Sequence, residues 1–331
     1  MAAQDKTGVL LINLGTPDKP DAHSVRVYLR EFLSDRRIVD LPAWRWMPVL
    51  HGVILRRRPI KSAAKYAGIW TQAGSPLMVH SRVLCDALER DLDDVMPEQF
   101  VVRFAMRYGN PGVGFMLDEF RQIGIEKILV IPLYPQYSST TTASALDAVY
   151  EWGRQQRYIP EFRFVNDYHD MPGYIDALCE QVVKHWLVYG RGEKLLISFH
   201  GVPQKLIDEG DPYQQQCLKT AELLVKALKL KEDQYGVTYQ SRFGKGQWLK
   251  PATQETLEGL AKEGVKSIDV ICPGFSADCL ETLEEIAIEC RDAFLQNGGE
   301  GFQYIPCLNA EHVWVKVLHE MVKHYTRGWV C

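Results

Sequence analysis

The 331-residue chain has no C-x-x-C pair among its eight cysteines (85, 179, 217, 272, 279, 290, 307 and 331), and the closest two, Cys272 and Cys279, are separated by six residues. That spacing argues against a zinc ribbon or a redox dithiol. Long apolar runs are also missing. The longest uncharged stretch, Ile128 to Leu146, is more than half Ser, Thr, Tyr, Gln and Pro, whereas a spanning helix needs ~20 apolar residues. The opening MAAQDKTGVLL sets an acid before any apolar run, unlike a signal peptide. Positive charge is not in excess: 38 basic against 42 acidic residues leave a net −4, so no overall field draws the chain to nucleic acid. Gly112-Val-Gly114 and Gly244-Lys-Gly246 lack the third glycine of G-x-G-x-x-G, and neither a P-loop, a G-x-S-x-G elbow nor an H-E-x-x-H pair occurs, which disfavours dinucleotide, nucleoside-triphosphate, serine-hydrolase and zinc-protease chemistry. A chain this long buries a full core without disulfide staples. The expectation is a soluble, cytoplasmic protein with free, mostly buried thiols.

What is present is a repeated α/β pattern. Short apolar runs (GVLLINL, FVVRFAM, IEKILVIPL, EFRFVN, EKLLISF, QYGVTYQS, VKSIDVI, GFQYIP) alternate with helical patterns, as buried parallel strands joined by helices do. GIEKILVI at 124–131 matches GVKSIDVI at 264–271, and LLINLGTP at 10–17 matches LLISFHGVP at 195–203. Two α/β units of one design follow. The first is longer by about 45 residues, because Leu10 to Gly124 spans 114 residues and Leu195 to Gly264 only 69. The excess includes residues 41–70, with three Trp, six Lys or Arg and no acid. A loop carrying a solvated charge run is one reading. The interleaved apolar residues favour another, a lip over a flat anionic ligand or against a membrane surface.

Two polar clusters fall at strand ends in the second half, the edge where open parallel sheets bind ligands. KLLISF delivers His200 into the turn Gly201-Val202-Pro203, followed by DEGDPY. A lone histidine is more often structural than catalytic; its place between an apolar strand and a glycine turn makes this one a candidate. SIDVI runs through Pro273–Asp278 into a helical pattern bearing Glu281, Glu285 and Glu289. Spacing of i, i+4, i+8 stacks three carboxylates on one α-helical face, where like charges repel and invite a cation. Carboxylates beside an imidazole suit a divalent first-row metal. The plainer alternative is that Asp278-x-x-Glu281 is a capping box and the later glutamates face water.

LISFHGVP followed by DEGDPY resembles the signature of the ferrochelatases, which insert ferrous iron into a porphyrin. LINLGTPD, FLSDRRIVDLP, KYAGIWTQAGSPL, MRYGNP, YPQYSSTTTAS, QSRFGKGQWLKP and FSADCLETLEEI also resemble family blocks in family order. The resemblance implies two doubly wound (Rossmann-like) domains with parallel sheets and a porphyrin cleft between them. The first would occupy 1–160 with a lip insertion at about 23–78, the second 161–308, and a C-terminal helix within 309–331 would pack back on the first. By the same resemblance His200 is the active-site histidine and Glu281 the catalytic glutamate, with Glu285 and Glu289 continuing a metal-handling line. Leu14, Tyr66, Ser75, Arg107, Tyr108 and Trp248 fall on porphyrin-contacting positions.

The family implies no prosthetic group; Fe²⁺ and protoporphyrin IX are substrates. Cys279 stands where many relatives have a histidine. Some relatives hold an iron–sulfur cluster through a cysteine in the YPQYS loop and three more in a C-terminal extension. This chain has Ser139 in the loop and ends at Cys331, so the expectation is no cluster. Leu14 stands where coproporphyrin-using relatives have tyrosine, which favours protoporphyrin IX. Two alternatives stay open: a cobalt chelatase acting on a corrinoid precursor, and a non-enzymatic tetrapyrrole carrier.

Overall fold

The apolar run TGVLLINLG forms β1 (Thr7–Gly15), in which Val9, Leu10, Leu11 and Ile12 are fully buried. A parallel strand buried on both faces requires helices on both sides of its sheet. The computed structural model, which describes residues 6–242 and 246–329, supplies them. After β1 come α1 (Ala22–Ser34), α2 (Ala43–Val49), α3 (Leu55–Ile69), α4 (Pro76–Val95), β2 (Phe100–Tyr108), α5 (Val113–Gln122), β3 (Lys127–Pro132), α6 (Ser144–Gly153) and β4 (Glu161–Phe164). The second half adds α7 (Pro172–Tyr189), β5 (Lys194–His200), α8 (Gln204–Asp208), α9 (Tyr213–Ala227), β6 (Tyr235–Gln240), α10 (Thr253–Lys262), β7 (Ser267–Ile271), a π-helix (Glu281–Cys290), α11 (Arg291–Gln296), β8 (Gly301–Ile305) and α12 (His312–Tyr325).

Two four-stranded, all-parallel sheets result, ordered β2-β1-β3-β4 and β6-β5-β7-β8. Each unit therefore runs second strand, first, third, fourth, which is the doubly wound order. One unit comprises the chain up to Leu133, Ser139–Asp167 and the chain from Ala310 on; the other comprises Tyr134–Ser138 and Tyr168–Asn309. The expected boundary after residue 160 moves accordingly. Glu161 to Phe164 pair with Lys127 to Val130 of β3, so EFRF completes the first sheet and does not open the second unit.

The repeated glycines have one physical reason. Gly124 and Gly264 have φ of +78° and +97°, and each ends a helix in the same way. Gly124 N–H donates to Arg121 O and Ile125 N–H to Phe120 O; Gly264 N–H donates to Ala261 O and Val265 N–H to Leu260 O. These paired bonds satisfy the last helical carbonyls and turn the chain into β3 and β7.

Residues 41–70, for which a loop had been one reading, are mostly helical: α2, a π segment (Leu50–Ile54) and α3 follow one another directly. Leu50 and Leu55 are buried, and the Trp46 indole donates to Leu33 O at 2.6 Å. That face packs on its own unit. In the same unit, α12 is tied to α4 by Asp91, whose carboxylate accepts from Lys316 Nζ at 2.5 Å and His319 Nδ1 at 2.7 Å.

In the other unit Asp269 on β7 is wholly buried. Its Oδ2 accepts from the Trp186 indole (2.6 Å) and the Gly192 amide (2.8 Å), while Oδ1 has no partner among the described residues. Burial pushes this carboxyl up, against the two donors. The folded state therefore holds its proton more tightly than the unfolded chain, and stability falls as pH rises from the ordinary carboxylate range through the raised value. Asp269→Asn keeps one acceptor oxygen and removes the buried charge. It is expected to melt higher than wild type at pH 8, with the gap closing toward pH 4; a lower melting temperature for the variant at pH 8 would contradict this.

Candidate active site

In the second unit His200 ends β5, whose neighbours are β6 and β7. The gap between the first and third strands of this order is the topological switch point, where loops leave in opposite directions and open a crevice. Gly201 makes the sharp exit: its amide donates to Gln240 O at 2.7 Å, and a Cβ there would lie 2.7 Å from that oxygen. The His200 ring is half-buried. Its Nδ1 is 2.6 Å from Gly201 O, and because a carbonyl only accepts, Nδ1 carries the proton and the lone pair of the neutral ring is on Nε2. The His200 carbonyl accepts from Tyr213 OH at 2.9 Å, and the Phe275 ring centroid lies 6.3 Å from the imidazole.

The glutamates follow the loop after β7. The segment Glu281–Cys290 is a π-helix, not the α-helix expected from the spacing; its i→i+5 bonds widen the turn, a feature often found at functional sites. Glu281 and Glu285 are half-buried and Glu289 is exposed, so the acidic line runs outward. Glu285 accepts from the Ser241 amide at 2.6 Å and from the Ser241 hydroxyl. Burial pushes its carboxyl up, opposed by Ser241 and by the charge of His200, and reinforced by Glu281.

No capping box forms. The Asp278 amide donates to Asn309 Oδ1 at 2.8 Å, and the Asp278 carboxylate accepts from Tyr304 OH at 2.5 Å, Asn309 Nδ2 at 2.7 Å and Thr282 Oγ1 at 3.2 Å. Asp278 therefore anchors the loop, which leaves the Glu281 side chain to other work.

Gln240, the last residue of β6, and Ser241 after it went unseen in the sequence. Gln240 accepts from Ser198 at 2.9 Å and donates to the Glu281 carbonyl at 2.7 Å, tying β5, β6 and the π-helix together. Trp248 is half-buried; its backbone bridges to Pro203 and its ring approaches Gly201. Of the block QSRFGKGQWLKP, residues 243–245 lie outside the described residues, as does Cys331. The seven described cysteines are free, and all but Cys179 are buried. Among the described residues, no three of His200, Glu281, Glu285 and Glu289 bring ligand atoms within reach of one ion.

The other unit holds Leu14, Tyr66, Ser75, Arg107 and Tyr108. Leu14, one residue before the end of β1, is half-buried, and Gly15 after it has φ +116°, with space for no Cβ beside Tyr108 O. Tyr66 is buried on α3, edge-on to Tyr28 and Trp70. Ser75, just before α4, accepts from Thr16 Oγ1 at 2.8 Å. It lines a pocket of about 530 Å³ with Pro17, Trp70, Met78, Arg82 and Phe115. Arg107 and Tyr108 end β2 and are not free: Arg107 Nη2 (2.7 Å) and Tyr108 OH (2.8 Å) both donate to Asp35. The structure therefore gathers Arg107 with Tyr108, and Leu14 with their strand end, while Tyr66 is linked to Tyr108 through the rings of Tyr28 and Phe32.

Comparison with known proteins gives this geometry a family. The Ferrochelatase family model matches residues 6–326. The chain is 53% identical to a ferrochelatase of Methylibium petroleiphilum over 325 residues, covering 98% of this chain and 89% of that one. It is 50% identical to a ferrochelatase of Marinobacter nauticus, covering 98% and 88%. Among solved structures it is similar to SirB from Bacillus subtilis with Fe³⁺ (TM-score 0.57, 9% identity, 97% of this chain and 95% of that one) and to CbiX (TM-score 0.51, 12% identity, 96% and 98%), likenesses of fold alone. The chain belongs to the ferrochelatase family.

Proposed function

We propose that the chain inserts Fe²⁺ into protoporphyrin IX, releasing two protons and forming protohaem. The observation that carries this reading is a pair of groups in the second unit: an imidazole at the end of β5 with its lone pair on Nε2, and the half-buried Glu285, held by Ser241 and within electrostatic reach of His200. Metallation removes two pyrrole protons, and an imidazole is the side chain suited to accept protons near neutral pH. His200 is the base in this reading. Glu281 and Glu285 share and pass on its protons, and the outward line to exposed Glu289 gives protons or metal a route. The absence of a closed ligand set fits an ion in transit, and Fe²⁺ is substrate here. In the other unit, the half-buried Leu14 at the end of β1 favours protoporphyrin IX.

A tetrapyrrole carrier needs no such base, and a cobalt chelatase for a more carboxylated substrate needs more cations. A metal-by-porphyrin rate matrix on the purified protein separates these readings. The fastest reaction is expected for Fe²⁺ with protoporphyrin IX; faster turnover of a more carboxylated tetrapyrrole, or no turnover at all, would overturn the assignment. We also propose that no iron–sulfur cluster is bound, because clusters are held mainly by thiolates and Ser139 offers a hydroxyl.

The proposed setting is the cytoplasm, with reversible contact to a membrane surface. No helix of the described residues is long and apolar enough to cross a bilayer. Along α2, α3 and the π segment between them, Trp44 (72% exposed), Val49, Val53 and Ile60 (64%) stand outward, with Arg45, Arg56, Arg57 and Lys61 exposed among them. Basic residues near an anionic surface contribute ~1 kcal/mol each. Changing Arg56 and Arg57 to Ser is therefore expected to weaken sedimentation with anionic liposomes roughly 30-fold at low salt, with turnover of detergent-solubilised porphyrin kept. Equal sedimentation of variant and wild type would remove the membrane role.

A further inference from the structure

FLSDRR is a block to which the mechanism assigns no task, yet its aspartate accepts four hydrogen bonds. Asp35 Oδ2 accepts from Ser144 Oγ (2.6 Å), Arg107 Nη2 (2.7 Å) and Tyr108 OH (2.8 Å), and Oδ1 accepts from the Arg37 amide (2.7 Å). The donors come from three places in the sequence: the chain just after α1, the end of β2 and the start of α6. Ser144 works from both sides, because its carbonyl and Oγ also accept from Arg107 Nε at 2.8 and 2.7 Å. The guanidinium carbon in turn lies 4.6 Å from the centroid of the Tyr108 ring.

Side-chain exposure is 10% for Asp35 and 18% for Arg107. Burial raises the Asp35 carboxyl, but the bonds from Ser144, Arg37 and Tyr108 and the charge of Arg107 outweigh it, so the group stays ionised. An ionised carboxylate 2.7 Å from the guanidinium cancels its charge. Two of the three guanidinium nitrogens are already spent on Asp35 and Ser144. Such multidentate pairing fixes orientation as well as energy.

We propose that Asp35, backed by Ser144, is a positioning residue that sets Arg107 and Tyr108 for porphyrin, so that Arg107 meets the substrate as a rigid, neutralised donor and not as a free positive charge. This rests on the reading that Arg107 and Tyr108 contact porphyrin. The two views of Arg107 predict opposite effects. If Arg107 were a free cation opposed by Asp35, removing the carboxylate charge would tighten binding of an anionic porphyrin. As a positioning residue, Asp35 must weaken binding when it is lost.

The test is the split between porphyrin KM and kcat in Asp35→Asn, Ser144→Ala and Arg107→Ala, with porphyrin binding followed by fluorescence quenching at low and high salt. Asp35→Asn is expected to raise KM about tenfold and to lower kcat less, and Ser144→Ala to raise KM severalfold. Both should show little change in salt dependence. Tighter binding in Asp35→Asn, or an unchanged KM with only a lower melting temperature, overturns the proposal. If Asp35→Asn fails to fold, Ser144→Ala decides, and an unchanged KM there overturns the proposal too. The two readings fail separately. KM raised by Arg107→Ala but by neither other variant sinks only the positioning role, whereas KM unaffected by Arg107→Ala removes the porphyrin contact on which the proposal stands.

Discussion

His200→Ala is expected to lose turnover by about 10²–10⁴-fold, the range over which a positioned general base contributes, while porphyrin still binds by fluorescence quenching. The magnitude follows from the geometry. The ring is held by one bond from Nδ1 to Gly201 O, leaving Nε2 as its basic atom, and no other described histidine ends a strand of this sheet. In the proposed mechanism, removing the ring takes away the base. Near-normal turnover in His200→Ala would remove the base from the mechanism.

Glu281→Gln is expected to fall by about 10²-fold or more in turnover with an almost unchanged melting temperature. Two readings of Glu281 came from its sequence context, a helix cap and a proton carrier, and a glutamine serves the first but not the second. The hydrogen bonds separate them: the Asp278 amide goes to Asn309, and the helix-starting loop is pinned by Tyr304 and Thr282. The Glu281 backbone carbonyl is taken by Gln240, which the substitution leaves in place, and the Glu281 carboxylate meets the Cys279 thiol, for which a glutamine oxygen can still accept. Activity that tracks melting temperature across Glu281→Gln and Glu281→Ala would restore the capping role.

Much of this arrangement was legible in the sequence because it is local. β1 and β5 are continuous apolar runs, Gly124 and Gly264 sit where a helix must turn into a strand, and His200 ends a strand beside a glycine. What was not legible depends on partners distant in the chain. EFRF has no mark of its own to say which sheet it joins, and pairing with β3 decides that. Residues 41–70 lack acidic caps and contain Pro48 and Pro59, which obscures a helical reading, yet burial of Leu50, Leu55 and Tyr66 makes helices of them. Asp35 meets Arg107 across 72 residues and Ser144 across 109, so FLSDRR alone gives no sign of its partners. Glu285 and Glu289 both read as continuing the line from Glu281, and only the contact with Ser241 marks Glu285 off.

Single-turnover metallation, with haem absorbance and an indicator for released protons recorded together in weak buffer, tests the central claim that His200 takes the pyrrole protons. Two protons per haem, with proton release and haem formation slowed together in His200→Ala while porphyrin quenching keeps its wild-type amplitude, is the predicted result. Proton release at the wild-type rate in His200→Ala, with only haem formation delayed, would contradict the account.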